Sequence, residues 1–142
     1  MSITSANAIL MLSQATLFPS PVQIQGFAAD DVYDVDEIKS VETIMGVDGV
    51  MSAGFVYEMV QQRMTLQADS ASVSFFDTIW TQMNAAQDTY ELQGLITLPG
   101  IATKFQHIKG FLTGWPPMPN AKRTLQPRRF SLIWQRILPS PI

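Results

Sequence analysis

The chain has 142 residues, a usual length for one domain, and 46% of them are hydrophobic, enough to build a core. It has no cysteine, which excludes disulfides, zinc–thiolate sites and thiol nucleophiles and fits maturation in a reducing cytosol. The formal net charge of −3 conceals a division: all twelve acidic residues lie at or before Glu91, opposed there only by Lys39 and Arg63, whereas residues 101–142 carry seven Lys or Arg and no acid. Such a division implies either that the halves pair within one domain or that the molecule has an acidic and a basic end able to attract further copies head to tail. A nucleic-acid surface on the basic tail ranks below both, because the total is acidic.

The first twenty residues hold the apolar cluster Ile9-Leu10-Met11-Leu12 and then Leu17-Phe18-Pro19, which read as a short strand or as an arm that docks elsewhere. The opening segment carries no Lys or Arg and no small-residue cleavage site, so no signal peptide is expected. No run is long and apolar enough to span a bilayer, so no membrane anchor is expected. "VQIQGF" (Val22–Phe27) alternates as a strand does. In "DDVYDVDEIKSVETIM", Tyr33 and Val35 alternate with Asp34 and Asp36, the mark of a half-exposed strand. "MGVDGVMSAGFVYEM" (Met45–Met59) places Asp48-Gly49 at a turn, with Gly54 at a bend or bulge in the strand that follows. Phe55–Ala68 reads as one long strand, bulged near Gln61-Gln62.

One strong helix follows. Asp69, Ser70 or Ser72 can accept from its first free backbone N–H groups, and Phe76, Ile79, Trp80, Met83 and Ala86 recur at helical spacing as a core face, with Asp77 turned away. "YELQGLITL" alternates, Pro99-Gly100 turns, and "ATKFQHIKGFLTG" is a further strand. The prolines of "WPPMPNAK" exclude a central strand. "RRFSLIWQRIL" sets Phe130, Leu132 and Trp134 against Ser131 and Gln135, and "PSPI" reads as a frayed tail. These elements predict a mainly β fold, an antiparallel β-sandwich or small barrel with one flanking α-helix.

No catalytic, cofactor or metal site emerges. The one histidine, His107, falls inside a strand, and no G-x-S-x-G is present. "GVDGVMS" lacks the Lys-Ser/Thr pair and the following helix of a phosphate loop. The acidic run Asp30, Asp31, Asp34, Asp36 and Glu37 lacks the glycine and distal Glu of a calcium loop. "NAKRTLQPRRF" with Trp115, Phe130 and Trp134 gives a second reading, a single-stranded nucleic-acid binding module with cations for phosphates and rings for stacking. An enzyme on a β-sandwich ranks third, for want of a motif.

The order of elements carries a resemblance. From Val22 to Ile137, "IQGF", the acidic "DDVYDVDEI", the "MGVDGVMS" turn, a long strand, a Ser-led helix and two or three further strands follow one another. This resembles the tail tube proteins of contractile-tailed bacteriophages and the tube-like rings of their baseplates. The resemblance implies a β-sandwich with one flanking helix, shared with the type VI secretion tube subunit. It implies hexameric rings stacked into a hollow tail tube, with inner strands joined across subunits into a continuous barrel. It further implies a non-enzymatic virion structural protein that assembles in the host bacterial cytoplasm. Tail sheath and baseplate proteins would be its partners, and DNA would pass through the lumen without specific binding. On this reading residues 1–142 form a single tail-tube-like domain, with an N-terminal arm (1–20), a proline-rich basic loop (114–129) and a tail (139–142). Asp34 and Asp36 would form a lumen-facing acidic stripe. Asp48, Gly49 and Gly54 would stack on the basic partners Arg123, Arg128 and Arg129 of the next ring. The arm and the basic loop depart from a minimal tube subunit, which keeps open a specialised tube-initiator or baseplate ring of the same fold.

Overall fold

The computed structural model describes residues 8–28 and 32–142; Asp30 and Asp31 of the acidic run, and the first seven residues of the expected arm, lie outside them. Seven antiparallel strands form one sheet in the order β2-β1-β7-β8-β9-β6-β3. They are β1 (Ile9–Gln14), β2 (Phe18–Ile24), β3 (Tyr33–Val35), β6 (Val60–Leu66), β7 (Leu92–Leu98), β8 (Thr103–Gly114) and β9 (Arg128–Pro141). β4 (Val41–Met45) and β5 (Met51–Phe55) pair only with each other. The one helix, α1, spans Val73–Ala86.

The sheet curls until its ends meet. Ile24 is in register with Leu10 at one edge, and three residues later Phe27 pairs with Leu66 of β6 near the other. Three residues reach at most about 11 Å, so the two edges must lie side by side. The hydrogen bonds Ala28 N–H to Thr65 O (3.1 Å) and Gln67 N–H to Gly26 O (2.8 Å) seal the closure. The small-barrel form of the expected fold is therefore the one observed.

Alternation fills the interior. Leu10 and Leu12 of β1, Leu92 and Ile96 of β7, Phe130, Leu132 and Trp134 of β9, and Met64 and Leu66 of β6 are all at most 2% exposed. α1 covers this core with Val73, Phe75, Phe76 and Ile79, and Phe76 stacks on Phe130 at 4.5 Å between ring centroids. Trp80 and Met83 are half-buried and Ala86 is exposed, so the apolar stripe weakens toward the helix C-terminus. Trp134 needs space as well as neighbours: a Cβ on Gly110 would overlap its ring, and Gly94 borders it on the next strand.

Several expectations need correction. Of the two readings of the apolar cluster at Ile9–Leu12, the strand is the one observed, and it is the arm that falls away. Phe55–Ala68 is not one strand: β5 ends at Phe55 and β6 begins at Val60 in a different sheet. Hydrophobic pattern is blind to this change, because both pieces carry β-forming residues. Gly54 introduces no bulge; β4 and β5 keep one register from Val41↔Phe55 to Met45↔Met51. The chain end is not frayed either, since β9 continues through Pro141, opposite Thr103. β6 flanks β9 only from Arg128 to Trp134, so Pro139 and Pro141 lie where one side of the strand is open and a missing N–H donor is tolerated. Pro19 and Pro21 use the same tolerance in the edge strand β2. The helix cap also differs. Ser72 is the N-cap residue but makes no capping bond; its Oγ accepts from Gln25 N–H (2.8 Å) and ties α1 to the end of β2.

Candidate functional site

The β4–β5 hairpin stands away from the barrel. All ten residues of its two strands are exposed, among them Ile44 (73%), Met45 (65%) and Phe55 (68%). Its turn is built as the sequence indicates. Gly49 N–H donates to Gly46 O (3.0 Å), Gly46 N–H to Val50 O (2.8 Å), and the Asp48 carboxylate accepts from Val50 N–H (3.1 Å). Gly49 has φ of +84°, the left-handed residue that closes a three-residue hairpin loop. Val47 at the tip is fully exposed. An isolated two-stranded hairpin is at best marginally stable in water, and this one carries Val41, Ile44, Met45, Val47, Val50, Met51 and Phe55 among its exposed large apolar side chains.

Between the base of the hairpin and the outer face of β8–β9 runs a groove of about 710 Å³. Phe55, Tyr57 and Met59 form one wall, and Phe111, Ile133 and Ile137 line the other side. Lys109 and Arg136, both exposed, also line it. Lys109 has φ of +50°, unusual for a residue with a side chain. It marks the point where the inward-facing positions of β8 change parity, from His107 to Gly110.

The basic loop between β8 and β9 is pinned at its root. Trp115 stacks on Trp80 of α1 with centroids 4.2 Å apart, and its Nε1–H donates to Asp77 (2.7 Å). Arg128 is 5% exposed; it forks onto both Asp77 oxygens (2.8 and 3.2 Å), donates to Pro116 O (2.6 Å) and lies over the Phe130 ring. Asp77 therefore does not face away from the protein as its place on the helix suggests. Arg128 is committed inside the subunit. Further along the loop, Arg123 is exposed and no ion pair involves it among the described residues.

Asp34 and Asp36 share one face, as strand alternation requires. Arg63 on the neighbouring strand β6 joins them, with Nε 3.1 Å from Asp34 and Nη2 on Asp36. Arg129 reaches Asp34 at 2.7 Å. The two acids and two cations make a cluster with no net formal charge. His107 is 1% exposed, its ring edge-on to Trp134, with Nδ1–H donating to Phe105 O (3.2 Å). Burial lowers its pKa from 6.5 to about 4, against the opposing pull of that carbonyl. Among the described residues no group of three His, Cys, Asp or Glu could hold a metal, and no helix is long and apolar enough to cross a membrane.

The turn at Asp48-Gly49 is legible in the residue order; the groove, the Asp77 anchor and the Gln62–Trp134 hydrogen bond (3.0 Å) are not. Each of these joins residues from distant parts of the chain, and no local pattern reports them.

The fold is that of chains in contractile injection systems. A chain of the cryo-EM structure of an extracellular contractile injection system, PVC sheath/tube terminator in extended state, superposes with a TM-score of 0.60 at 9% identity, covering 99% of this chain and 97% of that one. A chain of the anti-feeding prophage cap (AFP tube terminating cap) gives 0.59 at 12% identity, covering 100% and 93%. One from the anti-feeding prophage baseplate gives 0.58 at 12% identity, covering 99% and 98%. The chain belongs to the tail fiber protein gp32 family, whose model matches residues 1–138. Comparison with curated protein sequences gave no match.

Proposed function

We propose that this chain is a structural subunit of a contractile tail, forming hexameric rings that stack into the tube through which DNA passes. The observation that carries the reading is the β4–β5 hairpin: ten exposed strand residues, rich in large apolar side chains, in a two-stranded sheet whose strands pair only with each other. Family membership and the likeness to chains from tube, cap and baseplate assemblies support it. Sheath and baseplate proteins are its proposed partners, and the virion tail, assembled in the host cytoplasm, its location. Residues 1–142 act as one tail-tube-like domain.

The hairpin tip, Asp48 and Gly49, with Gly54 in the strand behind it, is the proposed stacking element. Its proposed basic partner is Arg123, since Arg128 is held by Asp77 and Arg129 by Asp34. Asp34 and Asp36 remain the proposed lumen-facing pair. Because Arg63 and Arg129 offset their charge, the wall there is polar with little net pull on phosphate, which lets DNA slide.

Sizing and negative-stain microscopy of the purified protein test the reading. Rings or tubes are expected; a strictly monomeric protein at high concentration contradicts it. Copy number per particle separates the repeated tube subunit from a single baseplate-proximal ring. The single-stranded nucleic-acid reading loses its stacking platform, because Phe130 and Trp134 are buried and Trp115 is stacked on Trp80. A salt-sensitive gel shift lost on Arg123→Ala would restore it.

A further inference from the structure

We propose that the groove at the hairpin base is the receptor for the β4–β5 hairpin of a second copy of this chain. The inference rests on the tube-subunit reading and names the surface that the reading leaves unassigned. Three observations on one molecule support it.

The hairpin and the groove match in chemistry. Residues 41–55 contain Glu42 and Asp48 and no cation, on a ribbon that is otherwise mostly apolar and whose two strands are exposed along their length. The groove offers an apolar floor from Phe111, Ile133 and Ile137, with Lys109 and Arg136 exposed beside it. Neither cation has an ion-pair partner among the described residues. The groove's own acid, Glu58, already accepts from the Lys39 backbone N–H at 2.9 Å. An acidic, apolar ribbon thus faces a cationic, apolar trough. Complementary charge of this kind steers encounter and fixes register, while the apolar area drives association.

The match cannot be satisfied within one subunit. The groove is walled by Phe55 and Tyr57 at the foot of the hairpin itself. A regular antiparallel ribbon of five paired positions is roughly 17 Å long and cannot fold back onto its own root. Knob and socket on different surfaces of one chain make a heterologous contact, the kind that builds closed rings or open stacks rather than two-fold dimers.

The backbone also presents Lys109 in an unusual way. Its positive φ coincides with the parity change of β8 that keeps His107 and Gly110 inward on either side of it, leaving the Lys109 side chain exposed in the groove lining. The groove and the Arg123 loop are separate basic surfaces. Glu42 on the hairpin flank and Asp48 at its tip are far enough apart along the ribbon to address one each.

The test is charge reversal in the full-length chain, read by sedimentation velocity and negative-stain microscopy. Lys109→Glu with Arg136→Glu is expected to weaken self-association by about tenfold or more. Its thermal midpoint as a monomer should stay close to that of the parent, since both side chains are exposed and neither forms an ion pair among the described residues. Adding Glu42→Lys to the same chain, with Asp48 left to meet Arg123, is expected to restore part of the lost assembly. Parent-like assembly of the groove variant, or failure of the Glu42→Lys triple variant to recover any association while folded, overturns the inference. Loss of rings in the parent protein itself overturns the tube reading instead, so the two failures are distinguishable.

Discussion

At the scale of single residues, the barrel interior is organised around Trp134. Its indole lies over Gly110, borders Gly94 and donates through Nε1–H to the Gln62 side-chain oxygen Oε1, and the His107 ring meets it edge-on. Gly110→Ala would drive a methyl group into the ring and is expected to cost about 1–3 kcal/mol, measured by denaturant unfolding. His107 supplies a pH signature. Its folded pKa of about 4 lies below the unfolded value of 6.5, so the unfolded chain binds more protons between these values. Stability is therefore complete above pH 6.5 and falls as pH drops toward 4, by about 3 kcal/mol from this residue. Comparing the stability of the parent and His107→Leu at pH 7 and pH 4.5 checks it. The variant should lose less on acidification, because only the parent must bury or expel that proton.

Between elements, the tie that matters is the one from α1 to the loop between β8 and β9. Asp77 holds Trp115 and Arg128 together, and Trp80 stacks on Trp115, so the root of a proline-rich loop is fixed to a helix. Arg128→Ala leaves Asp77 without its fork and removes a cation from the face of Phe130. Because Asp77 is 40% exposed, water compensates part of the loss, and about 1–3 kcal/mol is expected rather than the cost of a fully buried pair. Arg123→Ala, a few residues earlier in the same loop, should change monomer stability by less than about 0.5 kcal/mol. Thermal or urea unfolding of the two variants side by side checks the division; equal losses would contradict it. The hairpin sits at the opposite extreme: its two strands pair only with each other, and all ten of their residues are exposed.

For the whole molecule, the acidic N-terminal part and the basic C-terminal part are not simply cancelled inside the subunit. Asp34, Asp36 and Asp77 are paired internally with Arg63, Arg128 and Arg129. Glu42, Asp48, Lys109, Arg123 and Arg136 are exposed and outside those pairs. If copies meet through these leftover charges, assembly should weaken as salt rises, because about 1 M salt shortens the screening length to about 3 Å. Self-association measured by sedimentation from 50 mM to 1 M NaCl is expected to fall severalfold, with monomer melting changing little. Association that strengthens with salt would place the driving force in the apolar hairpin alone.

Much of this was legible in the residue order. Alternation in Leu92–Leu98 and Arg128–Trp134 located strands and their inward faces, and the 3.6-residue recurrence of Phe76 and Ile79 located the helix. Asp48-Gly49 located a turn, because only a few residues adopt the backbone it needs. These are local preferences, and a chain declares them wherever it folds. What the tertiary structure alone decided was which strands share a sheet, hence the break at Phe55, the strand-paired end at Pro141 and the closure of Phe27 on Leu66. It also decided which charges are spent, turning Arg128 inward onto Asp77 and leaving Lys109 and Arg136 beside an apolar groove, outside the ion pairs of the described residues. Pairing energies depend on which distant segments meet and how much water they exclude, and neither is written in the neighbours of a residue along the chain.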